Sequence, residues 1–427
     1  MGQRSRMSLD LRRPDTKRVA VASIRQAGSM EPGTARRETS VEAHERVGTG
    51  EERTTPLELF FDLVFVYAIT QMAHVVDADP TAGGFARTAV LLAAVWYAWI
   101  CFAWLTNNVG VDDGVIRAGV LLAAGAVFLV GVAVPDALGE DVVLFVSAYF
   151  LVRVLHIVLY AYGVRRSPEA RRNVLALAPT FVLGPAALFA LPWLPEDWRL
   201  PYLLVALAFD VSSPYIAGVA ELPVKPAHFA ERFALFIIIT LGESIVSIGI
   251  GAGSNPAGAV LVAIAVAFGL TVLLWWSYFD VVSLAGERRL SRASRSERAI
   301  LARDAYTYIH YVLVAGIVGF AVGCKKLVSA PTHELTTAGA VALCGGVAVY
   351  LLGHATFRYR MTRTIGVHHL AGAAAAATVM LASSRIPALA TAGLLGAVLV
   401  GVSVRERFEL SDLRRRLQLA EAAPEVD

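Results

Sequence analysis

Charge is scarce in this chain. Asp, Glu, Lys and Arg make up 17% of its 427 residues, against about 25% in a typical soluble domain. That shortfall argues against an ordinary soluble globular protein. Cysteine is scarcer still. Cys101, Cys324 and Cys344 all fall in apolar runs with no ligand spacing, which excludes a disulfide scaffold and a cysteine metal centre. No CxxC, HExxH, P-loop or GxSxG pattern occurs. The sequence therefore offers no standard redox, zinc-protease, nucleotide or serine-hydrolase signature. No metal and no cofactor is expected. A basic n-region leading into an apolar core of about 7–15 residues is also missing, so no cleavable signal segment is expected.

What the chain has is apolar length. Hydrophobic residues are 56% of the total and the mean hydropathy is +0.59. A bilayer core of about 30 Å needs roughly 20 apolar residues per helix. Twelve such segments can be drawn, near 57–76, 87–106, 115–134, 142–162, 173–191, 200–218, 229–251, 257–280, 305–324, 335–356, 364–382 and 386–404. The expected fold is all-α, a polytopic membrane protein. Residues 1–54 are rich in Arg, Ser, Thr, Glu and Gly without a periodic apolar face, and are expected to be a disordered cytoplasmic extension. Residues 405–427 form a tail whose Leu410, Leu413 and Leu417 suggest a short amphipathic helix.

Basic residues fall on alternate connections. Arg165 to Arg172, Lys225, Arg288 to Arg303, Arg358 to Arg363 and the tail arginines lie on one side. Arg87, Arg199, Lys325, Lys326 and Arg385 lie on the other. The positive-inside rule then places both termini in the cytoplasm, as an even helix number also requires. A basic loop is expected near 281–304, facing anionic lipid. No nucleic-acid partner is implied, and the oligomeric state stays open.

Two stretches match one another. Glu58-Leu59-Phe60 opens the first helix and Glu231-Arg232-Phe233 the seventh. Trp96 to Trp99 in the second parallels Trp275 to Tyr278 in the eighth. Tyr149 to Arg153 in the fourth parallels Tyr350 to His354 in the tenth. The offset is six helices, so two parallel six-helix repeats are expected, at 55–220 and 221–404.

Polar groups inside apolar helices need an explanation. An acid at a helix centre costs about 2.5–3.5 kcal/mol on insertion scales, and one Leu or Phe returns only about 0.3–0.6 kcal/mol. Glu58 and Asp62 are four residues apart, on one helix face. Glu243, Asp210, Arg153 and His310 lie within other spans, with Glu231 and Arg232 at the head of the seventh. These eight residues are the candidate substrate- or ion-binding groups. For Glu58 and Asp62, helix-end charge and a fold-locking ion pair compete with a proton or ion site. Arg153 and Arg232 are the candidate counter-ions. His156, His310 and His354 read first as packing histidines, since their spacing makes no metal motif.

The stretch Thr55 to Val66, reading TPLELFFDLVFV, resembles the opening signature of the bacterial low temperature requirement A (LtrA) family. Glu231-Arg232-Phe233 through Leu241-Gly242-Glu243-Ser244 resembles its second signature. Asp112-Asp113, Val134 to Ala137, Tyr306 to His310 and Leu351 to His354 match in order, so the resemblance spans about 54–404. It implies a multipass bacterial inner-membrane protein and carries over no catalytic residue.

The leading functional expectation is a proton- or ion-coupled transporter of a small solute. The alternative is a membrane-embedded enzyme acting on a lipid-like or apolar substrate by acid–base chemistry. A sensor or assembly partner is a third class. No enzymatic activity is assigned.

Overall fold

A computed structural model describes residues 54–421, apart from residue 217 and residues 219–221. The extension expected to be disordered lies outside the described residues up to residue 53. So does the leucine face expected in the tail, whose side chains are not described.

The described residues are helical, with an isolated antiparallel bridge between Glu334 and Pro387. In chain order the helices are α1 (Pro56–Ala78), α2 (Ala82–Asn108), α3 (Gly114–Ala133), α4 (Val142–Gly163), α5 (Pro168–Ala187) and α6 (Glu196–Ile216). There follow α7 (Pro226–Ala252), α8 (Ala259–Arg292), α9 (Arg295–Ser329), α10 (Thr337–Thr362), α11 (Val367–Ala382) and α12 (Ala388–Glu421). Among the described residues, nine are long and apolar enough to cross a membrane: α1 to α4, α7 to α10 and α12. The other three fall short for visible reasons. α5 and α6 carry charged first turns and internal prolines, Pro179 and Pro185 in one, Pro201 and Pro214 in the other. α11 has 16 residues.

Two expectations are corrected. No loop exists at 281–304. α8 runs on through Arg292 and only Ala293 and Ser294 separate it from α9. Ser294 caps the new helix, its hydroxyl accepting from the Glu297 amide, and on either side of this short break the Arg-, Leu- and Ala-rich stretch propagates a helix. Likewise α12 does not stop at 404. It continues to Glu421, because no Gly or Pro follows Gly401 within it.

Local chemistry sets the helix starts. Thr55 and Glu58 close a capping box at α1, with Pro56 at its first position. Asp113 caps α3 by accepting from the Val115 amide at 2.8 Å. α2 is the most enclosed helix, with Trp96 to Leu105 buried without a break. It runs through the centre of the packing, touching α1, α4, α6, α7 and α9.

Neighbour relations recur along the chain. α1 packs on α2 and α3, α3 on α4, α4 on α5, α5 on α6, and α2 on α6. α7 packs on α8 and α9, α9 on α10, α10 on α11, α11 on α12, and α8 on α12. The closest of these is α9 on α10. A Cβ on Gly316 would lie 2.6 Å from the Tyr350 nitrogen, and one on Gly346 would lie 2.4 Å from the Phe320 nitrogen. Small residues there let two backbones touch, as packing of helices in lipid favours.

Candidate functional site

The heads of α1 and α7 are joined by a buried ion cluster. Asp62, with no measurable exposure, accepts from Arg232 twice, Nη2 to Oδ1 at 2.6 Å and Nε to Oδ2 at 3.1 Å. This forked geometry is the strong form of a carboxylate–guanidinium contact. Arg232 Nη1 reaches Glu58 at 2.8 Å and donates to the Thr106 hydroxyl at 2.8 Å. The Trp99 indole donates to Asp62 at 2.7 Å. His228 Nε2 stands 3.1 Å from Glu58, and its Nδ1 meets the Asn107 amide at 3.1 Å. Glu58 therefore caps its own helix and binds Arg232. Glu231, half-buried beside the cluster, accepts from the Thr54 amide at 2.9 Å.

A second ion pair lies between α4 and α6. Arg153 Nη2 donates to Asp210 at 2.7 Å, and both side chains are at most 2% exposed. Tyr149 donates to the other Asp210 oxygen at 3.2 Å. Arg153 also meets the Cys101 sulfur and lies over the Tyr97 and Phe181 rings, at 4.8 and 5.2 Å. Gly184 lets α5 approach, since a Cβ there would sit 2.7 Å from that of Asp210.

Glu243 is different. It is buried on α7, and its contacts are hydroxyls: Thr70 of α1, and Ser247, which donates at 3.1 Å. No arginine or lysine is bonded to it among the described residues. Beyond it, Asp77 at the far end of α1 takes Lys325 at 2.5 Å and Lys326 at 2.6 Å from α9.

His310 uses both ring nitrogens. Nδ1 faces the Ala305 carbonyl at 3.0 Å and so carries the hydrogen, which leaves Nε2 to accept from Tyr278 at 2.9 Å. Its ring stacks on Tyr306 at 4.8 Å. Two cavities flank α2. One of about 230 Å³ lies between α2, α6 and α9, walled by Trp96, Leu207, Val211 and Tyr311. The other, of about 40 Å³, is lined by Cys101, His156 and Phe181. Tyr97 and Thr307 border both.

The candidate residues thus sort into groups. Glu58, Asp62 and Arg232 meet, with Glu231 at the margin. Arg153 meets Asp210. Glu243 and His310 stand apart, and Asp62 and Glu243 share no bonding partner among the described residues. Sequence reasoning overlooked Thr70, Ser247, His228 and Thr106, because ordinary residues in apolar helices carry no motif. The capping box Thr55-x-x-Glu58 was a signal for one role of Glu58.

These features define a multipass helical membrane protein with charged groups locked between its helices. Residues 53–404 match the family described as bacterial low temperature requirement A protein (LtrA). The chain belongs to that family. It is also similar to the uncharacterized protein RA0937 of Rhizobium meliloti (strain 1021). The two are 28% identical over 381 residues, covering 86% of this chain and 92% of the relative.

Proposed function

We propose that this protein is an ion-coupled transporter of a small solute in the bacterial inner membrane. In this reading twelve helices span the bilayer as two parallel six-helix repeats, with both termini cytoplasmic and the basic helix ends facing anionic lipid. The recurring neighbour relations support the repeat. One observation carries the function: the seam between the proposed halves is polar at three depths. Glu58 and Asp62 meet Arg232, Thr70 meets Glu243, and Asp77 meets Lys325 and Lys326. On α1 these levels are separated by about 12 and 10 Å at 1.5 Å per residue. Two bundles glued permanently would more cheaply share an apolar face. A seam of exchangeable polar contacts suits halves that rock against each other.

Glu243 is the coupling group in this scheme, because it is the seam carboxylate bonded to hydroxyls rather than to a fixed cation. The ion pairs of Glu58, Asp62 and Arg232 hold the seam closed at one end. The solute would lie in the cavity between α2, α6 and α9, beside Tyr97. The apolar walls of that same cavity also favour a second reading, an enzyme acting on a lipid-like substrate.

The test uses proteoliposomes with a pH-sensitive dye inside and a potassium diffusion potential. The wild type should move protons when amino acids, sugars, nucleosides or inorganic ions are offered in turn. Glu243→Gln should fold normally and lose that flux. Proton flux that persists in Glu243→Gln, or never exceeds that of protein-free vesicles, counts against coupled transport. Turnover of a bilayer lipid with no solute flux would favour the enzyme.

A further inference from the structure

A separate polar cluster lies where α10, α11 and α12 meet, away from the α1–α7 seam. His354 comes from α10, His368 and His369 from the first turn of α11, and Glu406 from α12. His368, His369 and Glu406 each present a donor atom, and those atoms all lie within 4.8 Å of one another. Glu406 is 4% exposed, His369 1% and His354 0%. His369 Nε2 stands 3.5 Å from a Glu406 oxygen. The His354 ring lies against that of His369, centroids 5.4 Å apart. Neither of its nitrogens has a hydrogen-bond partner among the described residues.

Packing does not account for this arrangement. A buried polar atom left unpaired costs about 1–3 kcal/mol, so a histidine kept only for its bulk would be a poor choice beside Tyr350 and Tyr278. A buried carboxylate also needs positive charge nearby. In the first six helices Asp210 has it, from Arg153. Arg153 follows Tyr149 by four residues, as His354 follows Tyr350. Where α4 offers a guanidinium, α10 offers an imidazole, and Glu406 is paired with His369 while the neighbouring Arg358 is bonded to Glu409. Neutral imidazoles with a carboxylate are the donor set of a divalent transition metal.

We propose that His368, His369 and Glu406 bind a divalent metal ion of the zinc class, with His354 packed beside the site against His369. The outer shell suits this. His368 Nδ1 stands 3.2 Å from Glu409, which is itself held by Arg358 at 3.0 Å. Once a metal is bound, a carboxylate at one imidazole nitrogen would fix the ring and leave the other nitrogen for the metal. Bond lengths near 2.1 Å put ligand atoms roughly 3.4 Å apart, so the three donors, now within 4.8 Å of one another, must draw together by roughly 1.4 Å or less to bind. The Glu409 side chain is 35% exposed.

The full-length protein, purified without a tag and stripped by a chelator, is titrated with Co²⁺ and then Zn²⁺. The wild type should bind about one Co²⁺ per chain, with the visible absorption of a low-coordinate nitrogen–oxygen site, and Zn²⁺ should displace it. Glu406→Gln and His369→Ala should each weaken Co²⁺ binding by more than about 100-fold. His333→Ala, an exposed histidine elsewhere, should bind as the wild type does. Absence of the cobalt spectrum in the wild type overturns the proposal, and so does unchanged affinity in Glu406→Gln. If His369→Ala does not fold, the nearly isosteric Glu406→Gln and the wild-type titration decide.

Discussion

Arg232 holds two carboxylates at once, and its loss would strand both in a dry interior. Arg232→Met should destabilise the protein by about 3–5 kcal/mol, the usual consequence of leaving a buried ion unpaired. Combining it with Glu58→Gln and Asp62→Asn should recover much of that loss. Unfolding midpoints in nanodiscs test both statements, and an Arg232→Met protein as stable as the wild type would mean that water reaches the cluster. The acids themselves were legible in the sequence, since a carboxylate in an apolar run is conspicuous. Their partners were legible only as candidate cations. Arg232 lies 174 residues from Glu58 along the chain, and periodicity fixes the face of a helix without saying which helix it meets. The histidines make the same point. His310 and His354 look alike in sequence, yet one satisfies both ring nitrogens and the other neither.

At the scale of helices, glycine placement separates tight contacts from loose ones. Gly346→Ala forces a Cβ into the α9 backbone and should cost about 1–3 kcal/mol. Gly393→Ala in α12 meets nothing within 4 Å and should be neutral or stabilising by up to about 1 kcal/mol. Comparing their unfolding midpoints checks the α9–α10 contact. The turn before α3 supplies a pH test. Asp113 takes the Val115 amide and the Arg165 guanidinium, which hold its carboxyl below the ordinary 3.8. A carboxyl lowered in the folded state stabilises above its unfolded pKa and ceases to as pH falls through the folded one. The advantage of the wild type over Asp113→Asn should therefore be constant above about pH 4 and shrink below it. An advantage independent of pH would show that the charge contributes nothing. Most helix positions were readable from apolar runs. The continuous α8 was not, because a run of arginines looks like a loop when only hydropathy is counted, although it propagates a helix well; for α12 a helical tail was expected, but not its unbroken join to the span.

For the whole molecule, the proposed motion can be blocked directly. The native thiols are all buried, so a maleimide reagent should find introduced cysteines first. Asp77→Cys with Lys325→Cys, joined by a short bismaleimide, ties α1 to α9 across the seam. Solute-dependent flux should stop on cross-linking and survive in either single variant. Flux that continues in the linked protein would exclude rocking about this seam.

The π turns give the proposed repeat a historical meaning. They fall at Tyr278–Val282, Ala302–Ile309 and Val341–Gly345, all in α8 to α10. A π turn accommodates an added residue that an α-helix cannot. If the halves descend from one duplicated gene, each such turn records an insertion in the later copy. The surviving matches lie outside them: the tryptophan stretch ends at Tyr278, where the first turn begins, and the Tyr350 stretch begins after Gly345, where the last one ends. A residue-by-residue alignment of the halves must open a gap at each turn, so their common ancestry would be better preserved in three dimensions than in the letters.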